Sequence, residues 1–174
     1  MKFHRVDFSV ASQIAIVSVA AYLAGSATTL LYHHTSSAIG GLWAMISGVV
    51  VLQATRSETV ASAWIRVRGT LIGALVAAAY LTFFHFTPLG MGLSIFITVL
   101  LCHAVGLPDH ARLAAITVAL IMVMSATSAE LTPLGNAALR FGESCLGAAI
   151  ALIVSLAWPW RQKKAALPAA SGPS

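Results

Sequence analysis

The sequence predicts an all-α integral membrane protein with six transmembrane helices, and its composition and run pattern are the reason. Hydrophobic residues make up 59% of the 174-residue chain and charged residues only 9%, with a mean hydropathy of +0.89. A soluble domain carries about a quarter charged residues, because its surface must be hydrated. Too few charges exist here to cover a water-facing shell, so lipid must do the covering. Long uncharged runs alternate with short polar breaks, and most Lys and Arg residues fall in those breaks.

A bilayer core takes about 20 apolar residues per helix, at a rise of about 1.5 Å each. Phe8 to Tyr32 meets that length. Its start imitates a secretory signal, yet the uncharged run is longer than the apolar core of a cleaved leader, so it reads as a span. Ser36 to Ala54 is uncharged and just long enough, and the polar stretch TRSETVAS follows. The third run extends from Gly69 to Phe86, and a TPLG turn opens a fourth that reaches Val105. GLPDHAR breaks the chain before a fifth run, Leu113 to Ala129, and ELTPLGN precedes the last, Ala137 to Trp160. Residues 1–160 therefore read as one six-helix module. The tail 161–174 is basic, then rich in small residues and proline, and is expected to be disordered and cytoplasmic.

Orientation follows from the basic residues. With the N-terminus inside, the cytoplasmic segments hold Lys2, Arg5, Arg56, Arg66, Arg68, Arg112, Arg161, Lys163 and Lys164, and the other side holds only Arg140. That bias fits an even number of spans in a bacterial inner (plasma) membrane with both termini cytoplasmic. Trp43, Trp64, Trp158 and Trp160 fall near expected helix ends, where tryptophans anchor at the interface.

The chain also repeats itself. Arg66, Thr70 and Gly73 match Arg140, Ser144 and Gly147 at one constant offset. Three spans per copy, 8–86 and 88–160, would relate the halves by inverted topology, a common transporter architecture.

Several chemistries find no support. GTLIGA lacks the lysine of a phosphate loop. Histidines 33, 34, 85, 103 and 110 have no metal-ligand spacing, and His33-His34 reads as a wet loop, so neither a metal nor another cofactor is expected. Cys102 and Cys145 lie in separate apolar runs and read as small buried side chains. The net charge of +5 is spread between apolar runs rather than gathered with aromatics, which points to a bilayer and not to nucleic acid. No nucleophile–base constellation suggests an enzyme.

Charges inside spans are expensive and are functional candidates by default. Arg140 and Glu143, three apart on one helix, are placed to pair. One reading has Arg140 capping the outer interface with Glu143 satisfying it; the other puts Glu143 in a polar pathway as a proton carrier. Arg66 and Arg68 are expected to precede the third helix on the cytoplasmic side, where a helix N-terminus already favours anions. With Arg140 at the outer mouth, the path would select anions. The positive-inside rule accounts for Arg66 and Arg68 but not for Arg140. Gly40, Ala44 and Gly48, and then Gly69 and Gly73, recur at helical spacing and would let helices approach closely, as would Gly147.

The order Gly-Leu-Trp43-Ala-Met-Ile-Ser-Gly-Val-Val-Val-Leu-Gln53, a basic loop, then Arg66-x-x-Gly69-Thr70-x-x-Gly73, resembles the fusaric acid resistance and aromatic acid exporter family. Arg140-Phe-Gly-Glu143-Ser-Cys-Leu-Gly147 fits the end of the same module, so the resemblance covers about residues 8 to 160. It implies proton-coupled export of organic or aromatic carboxylates, with kinship to plant malate channels. Carried over to matching positions, it marks Trp43, Gln53, Arg66, Gly69, Thr70, Gly73, Arg140, Glu143 and Gly147; with Arg68 added from the charge pattern, the expected substrate path draws on Trp43, Gln53, Arg66, Arg68, Arg140 and Glu143. Larger members join two modules and carry cytoplasmic domains; a single module implies a homodimer or higher homo-oligomer. A passive anion channel and a non-transporting membrane subunit are the alternatives.

Overall fold

The computed structural model describes the backbone of residues 5–32, 37–127 and 131–158, and side chains from Phe8 onward. The expectations for His33, His34, Trp160 and the 161–174 tail lie outside the described residues. Within them the chain forms six α-helices: α1 (Arg5–Tyr32), α2 (Ser37–Val51), α3 (Arg56–Phe83), α4 (Pro88–Ala104), α5 (Ala111–Thr127) and α6 (Pro133–Ala157). A 3₁₀ turn, Pro108–His110, leads into α5.

Local chemistry sets the helix ends. Thr87 and Thr132 each cap a helix that opens Pro-Leu-Gly, and each hydroxyl accepts the glycine N–H, at 3.0 Å from Gly90 and 3.1 Å from Gly135. Proline fits the first helical position because its missing N–H has no partner there in any case. α4 stops at Gly106, whose φ of +74° suits glycine, while Leu107 N–H bonds back to Cys102 O at 2.8 Å.

The third helix begins far earlier than expected, at Arg56 rather than Gly69. Thr55 and Glu58 explain it. The Thr55 hydroxyl accepts from Glu58 N–H and donates to the Glu58 carboxylate at 2.9 Å, so the polar TRSE stretch is a capped helix start and not a loop. Arg66 and Arg68 therefore lie within the helix instead of preceding it.

α3 and α6 form the centre and run antiparallel: Ala63 shares a core with Ala148, and Ala77 with Ala137. α2 lies parallel to α6, with Gly48 against Gly147, and α5 lies parallel to α3, with Gly73 against Ala114 and Thr117. α1 covers α2 and α6, while α4 covers α5. The close approaches need glycine. A Cβ on Gly147 would strike the Ala44 carbonyl oxygen, and one on Gly73 would strike the Ala114 carbonyl oxygen.

Polarity is inverted relative to a soluble bundle. Phe8, Leu31, Phe83 and Leu89 are exposed, whereas Arg66, Arg140, Glu143, Thr29, Ser47, Thr70 and Ser144 are buried. Four helical segments are long and apolar enough to cross a membrane: Phe8–Tyr32, Arg56–Phe83, Pro108–Thr127 and Pro133–Ala157. α2 and α4, expected as full spans, are shorter apolar helices of 15 and 17 residues. α2 ends before the expected Ala54: Gln53 N–H leaves the helical ladder for Thr59 Oγ1 at 3.1 Å, and its Nε2 turns back to the Val50 carbonyl at 3.0 Å.

Candidate functional site

Side chains from α1, α2, α3 and α6 converge on one buried polar cluster. α2 supplies Trp43 and Ser47, four apart and so on one face; α3 supplies Arg66 and Thr70 in the same register. α6 supplies Arg140, Glu143 and Ser144, and α1 reaches in with Thr29.

Arg66, 2% exposed, occupies the centre. Its Nη2 donates to Ser47 Oγ at 2.9 Å, and its Nε is shared between Ser47 Oγ at 3.3 Å and Ser144 Oγ at 3.2 Å. The guanidinium lies 5.4 Å from the Trp43 ring centroid, close enough for the π-face to stabilise the cation. Ser47 directs its own proton to Trp43 O at 2.9 Å, which leaves its lone pairs to the arginine. Among the described residues no carboxylate pairs with Arg66; hydroxyls and an aromatic face are its company.

Arg140 differs. Its Nη1 lies 2.8 Å from Glu143 Oε2, the i,i+3 pair that the spacing predicts, with both side chains buried at 1% and 2% exposure. That approach is too oblique for a hydrogen bond. Arg140 Nε and Nη1 and Glu143 Oε2 have no hydrogen-bond partner among the described residues, so charge alone joins the pair. Glu143 Oε1 accepts from the Thr29 hydroxyl at 2.7 Å. Gly40 makes room for that bond, since a Cβ there would overlap Thr29 Oγ1. Trp43 Nε1 donates to Arg140 O at 3.0 Å and ties the two arginine neighbourhoods together.

The structure thus brings together Trp43, Arg66, Arg140 and Glu143, with Gly40 and Gly147 beneath them. Trp43, expected near a helix end as an interfacial anchor, is instead buried in the middle of α2, where its N–H meets a carbonyl and its ring meets a cation. Arg140, expected at the outer mouth, is enclosed between helices. Two expected residues stay outside the cluster. Gln53 is exposed beyond α2, and Arg68 is exposed on α3 with its guanidinium 5.3 Å from the Trp64 ring. Gly69 packs against the His110 backbone on the α5 side of α3, and Gly48 packs against Val17. Ser47 and Thr29 were not expected. Ser47 is signalled by its spacing from Trp43; nothing in the TTLLY stretch distinguishes Thr29 from its neighbours. Cys102 and Cys145 are free thiols on separate helices, and among the described residues no three His, Cys, Asp or Glu side chains come together.

Apolar side chains on the outside and buried arginines and a carboxylate within define a membrane-type helical bundle. A family model described as fusaric acid resistance protein-like matches residues 20–154, and the chain belongs to that family. Membership supports a role in membrane transport or efflux. No curated protein and no solved structure gives a significant match.

Proposed function

We propose that the protein exports small organic or aromatic carboxylate anions across the bacterial inner membrane, coupled to protons, as a homodimer or higher homo-oligomer. The observation that carries this reading is Arg66, a buried cation whose partners are neutral hydroxyls and a ring. A buried charge without a counter-ion is costly in a membrane and marks a solute path by default. An incoming carboxylate would supply the missing negative charge, and guanidinium geometry matches it with two parallel N–H donors.

The same proposal takes 1–160 as one six-span module with both termini cytoplasmic, and 8–86 and 88–160 as inverted repeats. Support comes from packing. α2 runs along α6 as α5 runs along α3, and the glycines at equivalent positions, Gly147 and Gly73, each meet a carbonyl of the parallel neighbour. Exchanging the halves leaves this pattern unchanged.

The test is flux of 4-hydroxybenzoate into liposomes holding only this protein, with and without an imposed pH gradient. Protein-dependent flux stimulated by the gradient, and lost in Arg66→Gln, is expected. Flux indifferent to the gradient, after correction for leak of the neutral acid, would make it a passive channel. Folded protein with no flux of any tested anion would mark it as a subunit needing a partner.

A further inference from the structure

The two buried arginines, matched in sequence, are in opposite electrostatic states. Arg66 faces hydroxyls, while Arg140 is neutralised by Glu143 at 2.8 Å. With the carboxyl ionised, the cluster holds two positive charges and one negative, enough to favour one carboxylate, and that charge is centred on Arg66. The geometry points to Glu143 as a proton-operated latch on Arg140: ionised, it masks this second guanidinium; protonated, it frees Arg140 to join Arg66 in holding the anion. The inference rests on the anion-transport reading above and assigns the order in which the two arginines engage.

Three features fit a latch better than a structural ion pair. The contact lacks hydrogen-bond alignment, so neutralising one oxygen dissolves it, with no directional bond left to hold the guanidinium. Arg140 Nε and Nη1 are buried donors with no hydrogen-bond partner among the described residues, and buried donors left unmatched are rare unless a role requires them. Thr29 holds only Oε1, and so keeps the carboxyl in place while Oε2 gains or loses a proton.

The surroundings leave few other groups to titrate. α1 presents the Thr29 hydroxyl, α2 presents Gly40 and carries no titratable side chain, and α3 contributes Arg66 through Ser144. α5 meets α6 at Asn136, with Ile121 O and Ser125 Oγ as partners, none of them ionisable. On α6 itself the charged neighbour is Arg140.

Benzenesulfonate is the probe, because it stays ionised throughout and reports only the protein's protonation. Its affinity for purified protein, measured by calorimetry, should tighten about tenfold from about pH 8 to about pH 5.5, a usual size for site coupling. Glu143→Gln should bind at the tight level at both pH values. Arg140→Gln should lose the acid-side gain, so the inference stays testable if the glutamine variant does not fold. Circular dichroism and a monodisperse elution profile establish folding. A wild type with flat affinity, or a folded Glu143→Gln that binds weakly, would overturn the latch. Loss of binding in Arg66→Gln at both pH values would uphold the anion site even then; retained binding in that variant would instead defeat the anion-site reading.

Discussion

Thr70 Oγ1 and Ser144 Oγ lie 3.2 Å apart near the middles of α3 and α6, and they are separated by 74 positions, the offset that also relates Arg66 to Arg140 and Gly73 to Gly147. Two residues that match across a repeat can touch only beside an axis relating the copies. The hydroxyl contact is therefore where the proposed two-fold would pass, with one arginine a turn away on each helix.

That contact also supports Arg66. Ser144→Ala removes one of its two hydroxyl acceptors, and weakening a buried hydrogen bond to a charge costs about 1.5–3 kcal/mol. Thr70→Ala removes only the neutral hydroxyl contact and should cost about 1 kcal/mol. Thermal unfolding in detergent should rank Ser144→Ala as the more damaging; the reverse order would show that Arg66 does not depend on this hydroxyl.

The glycines make a contrast set. Gly147→Ala and Gly73→Ala place a methyl against a neighbouring helix's carbonyl, which overpacks the contact by about 1–3 kcal/mol. Gly92 and Gly142 sit in helices with nothing within 4 Å of an added Cβ, so alanine there should stabilise by up to about 1 kcal/mol. Equal melting shifts for the two pairs would mean that the close approaches are wrong.

Trp43 has two separable roles. Trp43→Phe keeps an aromatic face beneath Arg66 but deletes the donor to Arg140 O, at a cost of about 1 kcal/mol. Trp43→Leu also deletes the cation–π contact, worth about 2 kcal/mol when desolvated. Transport should fall modestly in the first and severely in the second. Equal loss in both would assign the effect to the N–H alone.

Gln53 should matter little to flux. Its amide closes the end of α2 at the surface and touches nothing in the cluster, so Gln53→Ala is expected to keep transport and lose less than about 1 kcal/mol of stability. A transport defect in well-folded Gln53→Ala would extend the path to that end of the bundle.

Topology can be read by reporter fusions. Six spans place fusions after Gln53 and after Val105 in the cytoplasm, and one after Phe86 outside. An external signal after Gln53 would show that the short α2 does not cross.

The sequence by itself determined the membrane class, the family resemblance, the Arg140–Glu143 spacing and the glycines. Each rests on composition or on residues close together on one helix. It misplaced the start of α3 because Thr55 and Glu58, polar enough to read as loop, in fact satisfy each other as a cap. Only the tertiary structure decided that Arg66 is enclosed, that Trp43 lies beneath it, that Ser47 and Thr29 belong to the cluster and that Gln53 does not. The physical reason is the solvent. In water an apolar stripe points to the core, but lipid accepts apolar side chains on every face, so hydrophobic periodicity no longer says which face is inward. Which helix meets which is then set by small residues and polar pairs between distant segments, such as Thr29 with Glu143, 114 positions apart.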